Sequence, residues 1–143
     1  MTEIFDILGE FNNPAVSKKE LSMIYKHQGN NCCQAVLLTF AEELNLSEEF
    51  LRQLGAGFGL GMGGMEGTCG ALCGAEMILG LKKFQGKSVN ALSKQIHQEF
   101  TQKCGASLCK DIKGVATGKI LCSCDDCVKN AVECVEKYIF SES

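Results

Sequence analysis

Apolar residues recur at helical spacing along most of this chain, and this periodicity is the strongest constraint on its fold. Apolar residues spaced to lie along one face predict long helices over about residues 14–25, 32–44, 69–81 and 88–102. No segment alternates apolar and polar residues as a half-buried strand would. We therefore expect an all-α, single-domain bundle of five or six helices over residues 1–143. The clearest stripe lies near the C-terminus and comprises Val128, Ala131, Val132, Val135 and Ile139.

Capping residues predict where the helices begin. Asn13-Pro14 predicts the start of the first long helix, because proline is favoured at the first helical position. Caps are also expected at Asn30-Asn31 for the second long helix, at Ser47 for a short one, at Thr68 for a helix from Cys69, and at Asp125 or Asp126 for the last. Two small elements are predicted, at about Glu3–Leu8 and Cys104–Ile112.

A glycine-rich stretch, GAGFGLGMGGMEGTCGALCG, interrupts the helical pattern with nine glycines between Gly55 and Gly74. Each glycine costs a helix about 1 kcal/mol relative to alanine, so residues 55–67 are expected to form a close-packed loop or a glycine-faced helix. Such a loop exposes backbone N–H groups that can surround an anion. The G-x-G-x-x-G match within it follows no strand, which argues against a dinucleotide site.

Composition and charge exclude several functional classes. Hydrophobic residues make up 45% of the 143 residues and charged residues 22%, as in globular proteins. The net charge of −3 and the scattered lysines argue against nucleic-acid binding. No apolar run is long enough to span a membrane. The first residues, MTEIFDILGEF, are acidic where a secretory signal would be basic, so we expect a cytoplasmic protein.

Ten cysteines are the most prominent chemical feature. In a reducing compartment such a number indicates metal ligands or redox thiols in place of disulfides. Four of them are expected at or near helix starts, where the helix dipole stabilises the thiolate that binds metals. These four are Cys32, Cys69, Cys109 and Cys127.

The remaining cysteines allow more than one interpretation. Cys122, Cys124 and Cys127 form a C-x-C-x-x-C pattern whose three sulfurs can share a metal, and Cys124 with Cys127 can also form a redox dithiol. Cys73 follows Cys69 by one helical turn and could ligate with it. Cys33 shares the apolar register of the second helix and is expected in the core. Cys134 fits either the core or a reserve thiol.

The sequence resembles a family of redox-active proteins, C_GCAxxG_C_C, named for a CGAxxG motif and three further cysteines. The motif is Cys69-Gly70-Ala71-Leu72-Cys73-Gly74, preceded by GFGLGMGGMEGT. The upstream cysteine corresponds to Cys32 in NCCQAVL, and the downstream ones to Cys109 in CKDIKG and Cys127 in CVKNAVE. The likeness covers about residues 29–138. The family is also similar to a domain of split-Soret cytochromes that holds a 2Fe–2S cluster.

This resemblance implies that Cys32, Cys69, Cys109 and Cys127 bind an iron–sulfur cluster. The expected function is electron transfer or redox sensing through a 2Fe–2S or 4Fe–4S cluster. We also expect a separate redox partner protein, and the sequence leaves open whether the chain forms a homodimer. A carrier is favoured over a stand-alone enzyme. Two alternatives remain, a metal-free thiol oxidoreductase and a zinc-binding structural module. Six cysteines are additional to the family pattern and leave room for a second cluster or a dithiol: Cys33, Cys73, Cys104, Cys122, Cys124 and Cys134.

Overall fold

The computed structural model describes residues 16–141, and within this range the chain is all-α. Six helices of eight or more residues and two short α-helices are present in this part of the chain, with a 3₁₀ turn at Ala56–Phe58 and a π turn at Gly61–Met65. The α-helices are α1 (Lys18–His27), α2 (Cys32–Thr39), α3 (Ala41–Leu44), α4 (Glu48–Gly55), α5 (Gly70–Lys83), α6 (Asn90–Cys104), α7 (Cys109–Lys113) and α8 (Cys124–Tyr138). The helix class predicted from periodicity is confirmed, while the element predicted at Glu3–Leu8 lies outside the described residues.

Helix α2 forms the centre of the core and packs against α1, α4, α5 and α8. It is buried around most of its circumference, from Cys33 to Thr39 apart from Gln34, as expected for a helix with apolar residues on every side. Helix α8 buries the predicted stripe from Val128 to Ile139 against it. No helix within residues 16–141 has the length and apolarity needed to cross a membrane.

The second long helix is shorter than predicted, because the segment expected over residues 32–44 breaks at Phe40. The Thr39 hydroxyl donates to the carbonyl of Ala35 at 2.7 Å, a bond that tends to bend a helix. Phe40 adopts φ −110° and ψ 19°, and its ring stacks on Phe140 with centroids 5.3 Å apart. The break therefore turns an aromatic side chain into the core.

Three predicted helix starts were wrong. Helix α1 begins after Ser17, whose hydroxyl accepts from the Glu20 amide, and therefore later than predicted; the predicted cap at Asn13-Pro14 lies outside the described residues. Helix α5 has Cys69 and not Thr68 at its N-cap. Helix α8 is capped by Ser123, which accepts from the Asp126 amide at 3.0 Å, so Asp126 follows the cap. In α1 and α8 a serine three residues before an acidic residue supplied the cap.

Candidate metal centre

A single cavity of about 170 Å³ is lined by five cysteines from four separate parts of the chain. They include all four predicted site residues, Cys32, Cys69, Cys109 and Cys127, together with Cys124. Cys69, Cys109 and Cys127 are buried, and Cys32 is partly exposed. The remaining lining residues are Lys26, Asn31, Leu60, Gly61, Gly70, Ile112 and Lys113.

Each of the four predicted cysteines lies in or next to the first turn of a helix. Cys32 opens α2, Cys69 is the N-cap of α5 and Cys109 opens α7. Cys127 is the fourth residue of α8, three positions later than predicted, because that helix begins at Cys124. The positive ends of three longer helices, α2, α5 and α8, therefore lie beside the cavity sulfurs and favour their thiolate forms.

The start of α2 is held by a capping box at Asn31. The Asn31 side chain accepts from the Gln34 amide at 2.8 Å, and the Gln34 side chain accepts from the Asn31 amide at 2.9 Å. The Asn31 side chain also donates to the carbonyl of Gly55 at 3.1 Å. These bonds fix Cys32 relative to the start of the glycine-rich loop, which leads to the next cavity cysteine.

Cys69 and Cys109 are held side by side by backbone hydrogen bonds. The amide of Cys69 donates to the carbonyl of Ser107 at 2.8 Å, and the amide of Cys109 donates to that of Gly67 at 3.0 Å. Together they form an isolated antiparallel bridge between Thr68 and Leu108. The bridge accounts for the convergence of two cysteines that are far apart in the sequence.

The glycine-rich loop approaches the cavity more closely than any side chain would permit. A Cβ atom on Gly61 would lie 2.5 Å from the Cβ of Cys109, and Gly61 has φ +57°. The amides of Gly63, Met65 and Gly67 donate to carbonyls within the loop itself. Its observed role is therefore close backbone packing against Cys109, and these three amides are already satisfied within the loop.

Hydrogen bonding favours the ionisation of one cavity sulfur, that of Cys69. The Cys127 thiol donates to the Cys69 sulfur and, with help from the amides of Ala71 and Leu72 and against the effect of burial, lowers the pKa of Cys69 to about 7. Burial is the main factor that raises the pKa of Cys32 to about 12, and it also raises the pKa of Cys109. Several adjacent thiolates in this cavity would therefore require a bound cation.

Two lysines bring positive charge to the cavity. The Lys113 ammonium contacts the sulfur of Cys124 directly. Burial opposes the charge on Lys113, but Cys124, Cys32 and Cys109 together raise its pKa. The positive charge of Lys26 also favours the thiolate form of Cys32. It lowers the pKa of Cys32, although burial raises that pKa by a larger amount. The cavity thus combines cysteine sulfurs with compensating positive charge from side chains and helix ends.

A second group of sulfurs touches the first at Cys127. The sulfur atoms of Cys104, Cys122 and Cys127 all lie within 4.8 Å of one another, close enough to bind one metal ion. Cys104 is the last residue of α6 and Cys122 precedes α8. The C-x-C-x-x-C pattern is therefore divided, since Cys124 lines the cavity and Cys104 takes its place in the close group.

The other cysteines and the histidines lie elsewhere. Cys33 and Cys134 are fully buried in the apolar core, as expected for Cys33. Cys73 is partly exposed, with its sulfur 3.8 Å from the carbonyl of Thr68, and it does not line the cavity. His27 pairs with Asp125 at 3.0 Å, and His97 lines a shallow groove beside Cys73.

Comparison with known proteins identifies the family. Neither the curated proteins nor the solved structures give a match to this chain. A family model described as "Putative redox-active protein (C_GCAxxG_C_C)" matches residues 30–138. The matched span covers most of the chain and contains every cysteine of the cavity and of the close three-sulfur group. The chain belongs to the C_GCAxxG_C_C family of redox-active proteins.

Proposed function

We propose that the protein is an iron–sulfur protein for electron transfer or redox sensing, with Cys32, Cys69, Cys109 and Cys127 as the cluster ligands. The observation that carries the proposal is that these four cysteines, drawn from four helical elements, line one cavity. Bundle proteins commonly build cofactor sites in this way, from side chains on facing helices. Membership of a redox-active family supports the same function.

The cavity fits a polyatomic group of this type. Its volume of about 170 Å³ is roughly ten times the 10–15 Å³ that one water molecule requires in the same measure. Cysteine thiolates are the usual ligands of iron–sulfur clusters, whereas such soft ligands bind magnesium or calcium poorly. A cluster with four thiolate ligands is an anion, and Lys26, Lys113 and the helix N-termini provide the matching positive charge.

Bound there, a cluster would supply one-electron redox chemistry. The chain's own residues hold and shield that site. Burial of Cys69, Cys109 and Cys127 keeps water from most of the sulfur surface, which influences the reduction potential. The backbone bridge between Thr68 and Leu108 keeps two ligands in register, and Lys113 offsets added negative charge. A separate redox partner protein would deliver or remove the electron.

A thiol oxidoreductase is the second candidate, because one specific observation favours it. The pKa of Cys69 is lowered to about 7, chiefly by the Cys127 thiol, which is typical of a reactive thiol. Against this function, Cys69 is only 7% exposed, so a protein disulfide could not readily reach it. In this second mechanism, the partner of Cys69 or of Cys124 would be Cys127.

The functions are separated by anaerobic reconstitution of the metal-free protein with ferrous iron and sulfide. The proposal predicts a brown protein whose visible absorption bleaches on reduction and returns on oxidation. Colourless protein that takes up zinc but no iron would instead indicate the zinc module. Reduction of a model disulfide by the metal-free protein, abolished by Cys124→Ser or Cys127→Ser, would indicate the oxidoreductase.

A further inference from the structure

The close sulfur group, which shares only Cys127 with the cavity, has features of a metal site in its own right. Cys104, Cys122 and Cys127 come from the end of α6, the segment before α8 and the first turn of α8. Their sulfur atoms are mutually within 4.8 Å, a spacing at which one ion can contact all three. Because α6 and α8 pack together, the group is held by the core and does not depend on a flexible loop alone.

An amide side chain is directed at the same sulfurs. The Asn130 Nδ2 group donates to the sulfur of Cys104 at 3.2 Å and lies 3.8 Å from the sulfur of Cys122. Such outer hydrogen bonds orient thiolate ligands and stabilise their charge.

The protein itself gives this group little positive charge. Cys104 is the last residue of α6, where the negative end of the helix dipole opposes a thiolate. The carboxylate of Asp126 acts on Cys104 and Cys122 in the same unfavourable direction. Three thiolates at this position therefore need a cation from outside, and a divalent metal ion supplies it.

We propose that Cys104, Cys122 and Cys127 form a second metal site that binds one Zn²⁺ ion through three sulfurs, with solvent as the remaining ligand. Zinc accepts three protein ligands and a water molecule in tetrahedral geometry. Solvent can reach the group because Cys122 is partly exposed. Binding releases to solvent the protons that the coordinating thiols carry. The site does not require a cluster in the cavity, although Cys127 makes the two sites neighbours.

Cadmium NMR on the metal-free, reduced protein tests the site, because the chemical shift of bound Cd²⁺ reports the number of thiolate ligands. We expect a signal from a three-thiolate site in the wild type and in the cavity variant Cys32→Ser/Cys109→Ser. The signal should disappear in Cys104→Ser/Cys122→Ser and persist in the control Cys73→Ser/Cys134→Ser. Absence of the signal from the wild type, or its persistence without Cys104 and Cys122, would overturn the proposal.

A milder variant tests the same site with all its sulfurs intact. Asn130→Ala should weaken Zn²⁺ binding about tenfold or more, the usual effect of losing an outer hydrogen bond to a ligand. Competition with a chromophoric chelator measures the affinity, and Asn90→Ala, on the exposed start of α6, is the control. Equal affinity of Asn130→Ala and wild type would contradict the assigned role of Asn130 and, with it, the site. Because the cavity variant retains the three sulfurs, failure of the iron–sulfur proposal leaves this result unchanged.

Discussion

The two sulfur groups of this protein share Cys127 but compensate negative charge in different ways. The cavity group lies at helix N-termini, and Lys26 and Lys113 line the same space. The close group contains the C-terminal residue of α6 and is subject to the carboxylate of Asp126. In the cavity, positive charge from the protein can offset the excess negative charge of four thiolates around a cluster, whereas the close group depends on a bound metal ion for its positive charge. Cysteine content alone would not distinguish them.

Loss of one ligand from each group should give the largest effect and separate the two. Cys69→Ser should remove most of the visible absorption of anaerobically reconstituted protein, because the cavity loses its best-stabilised thiolate. Cys122→Ser should retain that absorption, since Cys122 does not line the cavity. Cys33→Ala is the control for cysteine loss in the core and should also stay brown. Equal loss of colour in Cys69→Ser and Cys122→Ser would contradict the separation.

The glycine-rich loop allows a test of the cavity alone. Gly61→Ala adds a Cβ that would lie 2.5 Å from the Cβ of Cys109, whereas Gly63 has nothing within 4 Å of that position. Both glycines have positive φ, so both variants bear strain of about 1–2 kcal/mol. The clash should add roughly 1–3 kcal/mol in Gly61→Ala and displace Cys109. Chemical denaturation measures the loss of stability, and iron content measures the displacement of Cys109. Equal stability and equal iron content in the Gly61→Ala and Gly63→Ala variants would contradict the close approach of Gly61 to Cys109.

The charge of Lys113 should influence the potential of the cavity site with little effect on folding. Lys113→Met removes a positive charge that contacts Cys124 and acts on Cys32 and Cys109. Reduction adds an electron, so the potential should fall, by an amount on the order of tens of millivolts. Redox titration of the visible absorption gives the value. Lys94→Met, an exposed change on α6, should leave the potential near that of wild type, and a matching fall there would refute a local effect.

The smallest effect is expected at the ion pairs that align α6 with α8. Glu133 on α8 contacts Lys103 on α6 and Lys19 on α1, and these lysines lower the pKa of Glu133 from 4.5 to about 2. The ionised carboxylate therefore stabilises the fold at neutral pH, and this contribution fades as the pH falls from about 4.5 towards 2. Thermal unfolding of metal-free wild type and Glu133→Gln should show a difference that shrinks over this range. A difference independent of pH would contradict the assignment.

Sequence periodicity predicted the helices better than their ends. Cys33 illustrates its success, since its apolar register predicted a core residue and its side chain is fully buried. It failed at Phe40, where the helix breaks and the ring stacks on Phe140, a contact with a residue distant in the sequence that periodicity does not record. The missed caps at Ser17 and Ser123 did have a local signal, a serine three residues before an acidic residue.

The close sulfur group was only half visible in the sequence. Cys122 and Cys127 stand out because they are near each other, but nothing local relates them to Cys104. That contact arises from the packing of α6 on α8, which a single sequence does not record. The backbone bridge that joins Cys69 to Cys109 is equally hidden, because its hydrogen bonds involve amides and carbonyls that every residue carries.

Iron and inorganic sulfide in protein isolated without oxygen test the central claim most directly. The claim is that Cys32, Cys69, Cys109 and Cys127 hold one iron–sulfur cluster. It predicts about two or four irons per chain, with a matching amount of sulfide that is released by acid. Electron paramagnetic resonance of the reduced protein should then give the signal of a single cluster. Protein with stoichiometric zinc in the cavity, or with neither iron nor sulfide after anaerobic isolation and reconstitution, would contradict the claim.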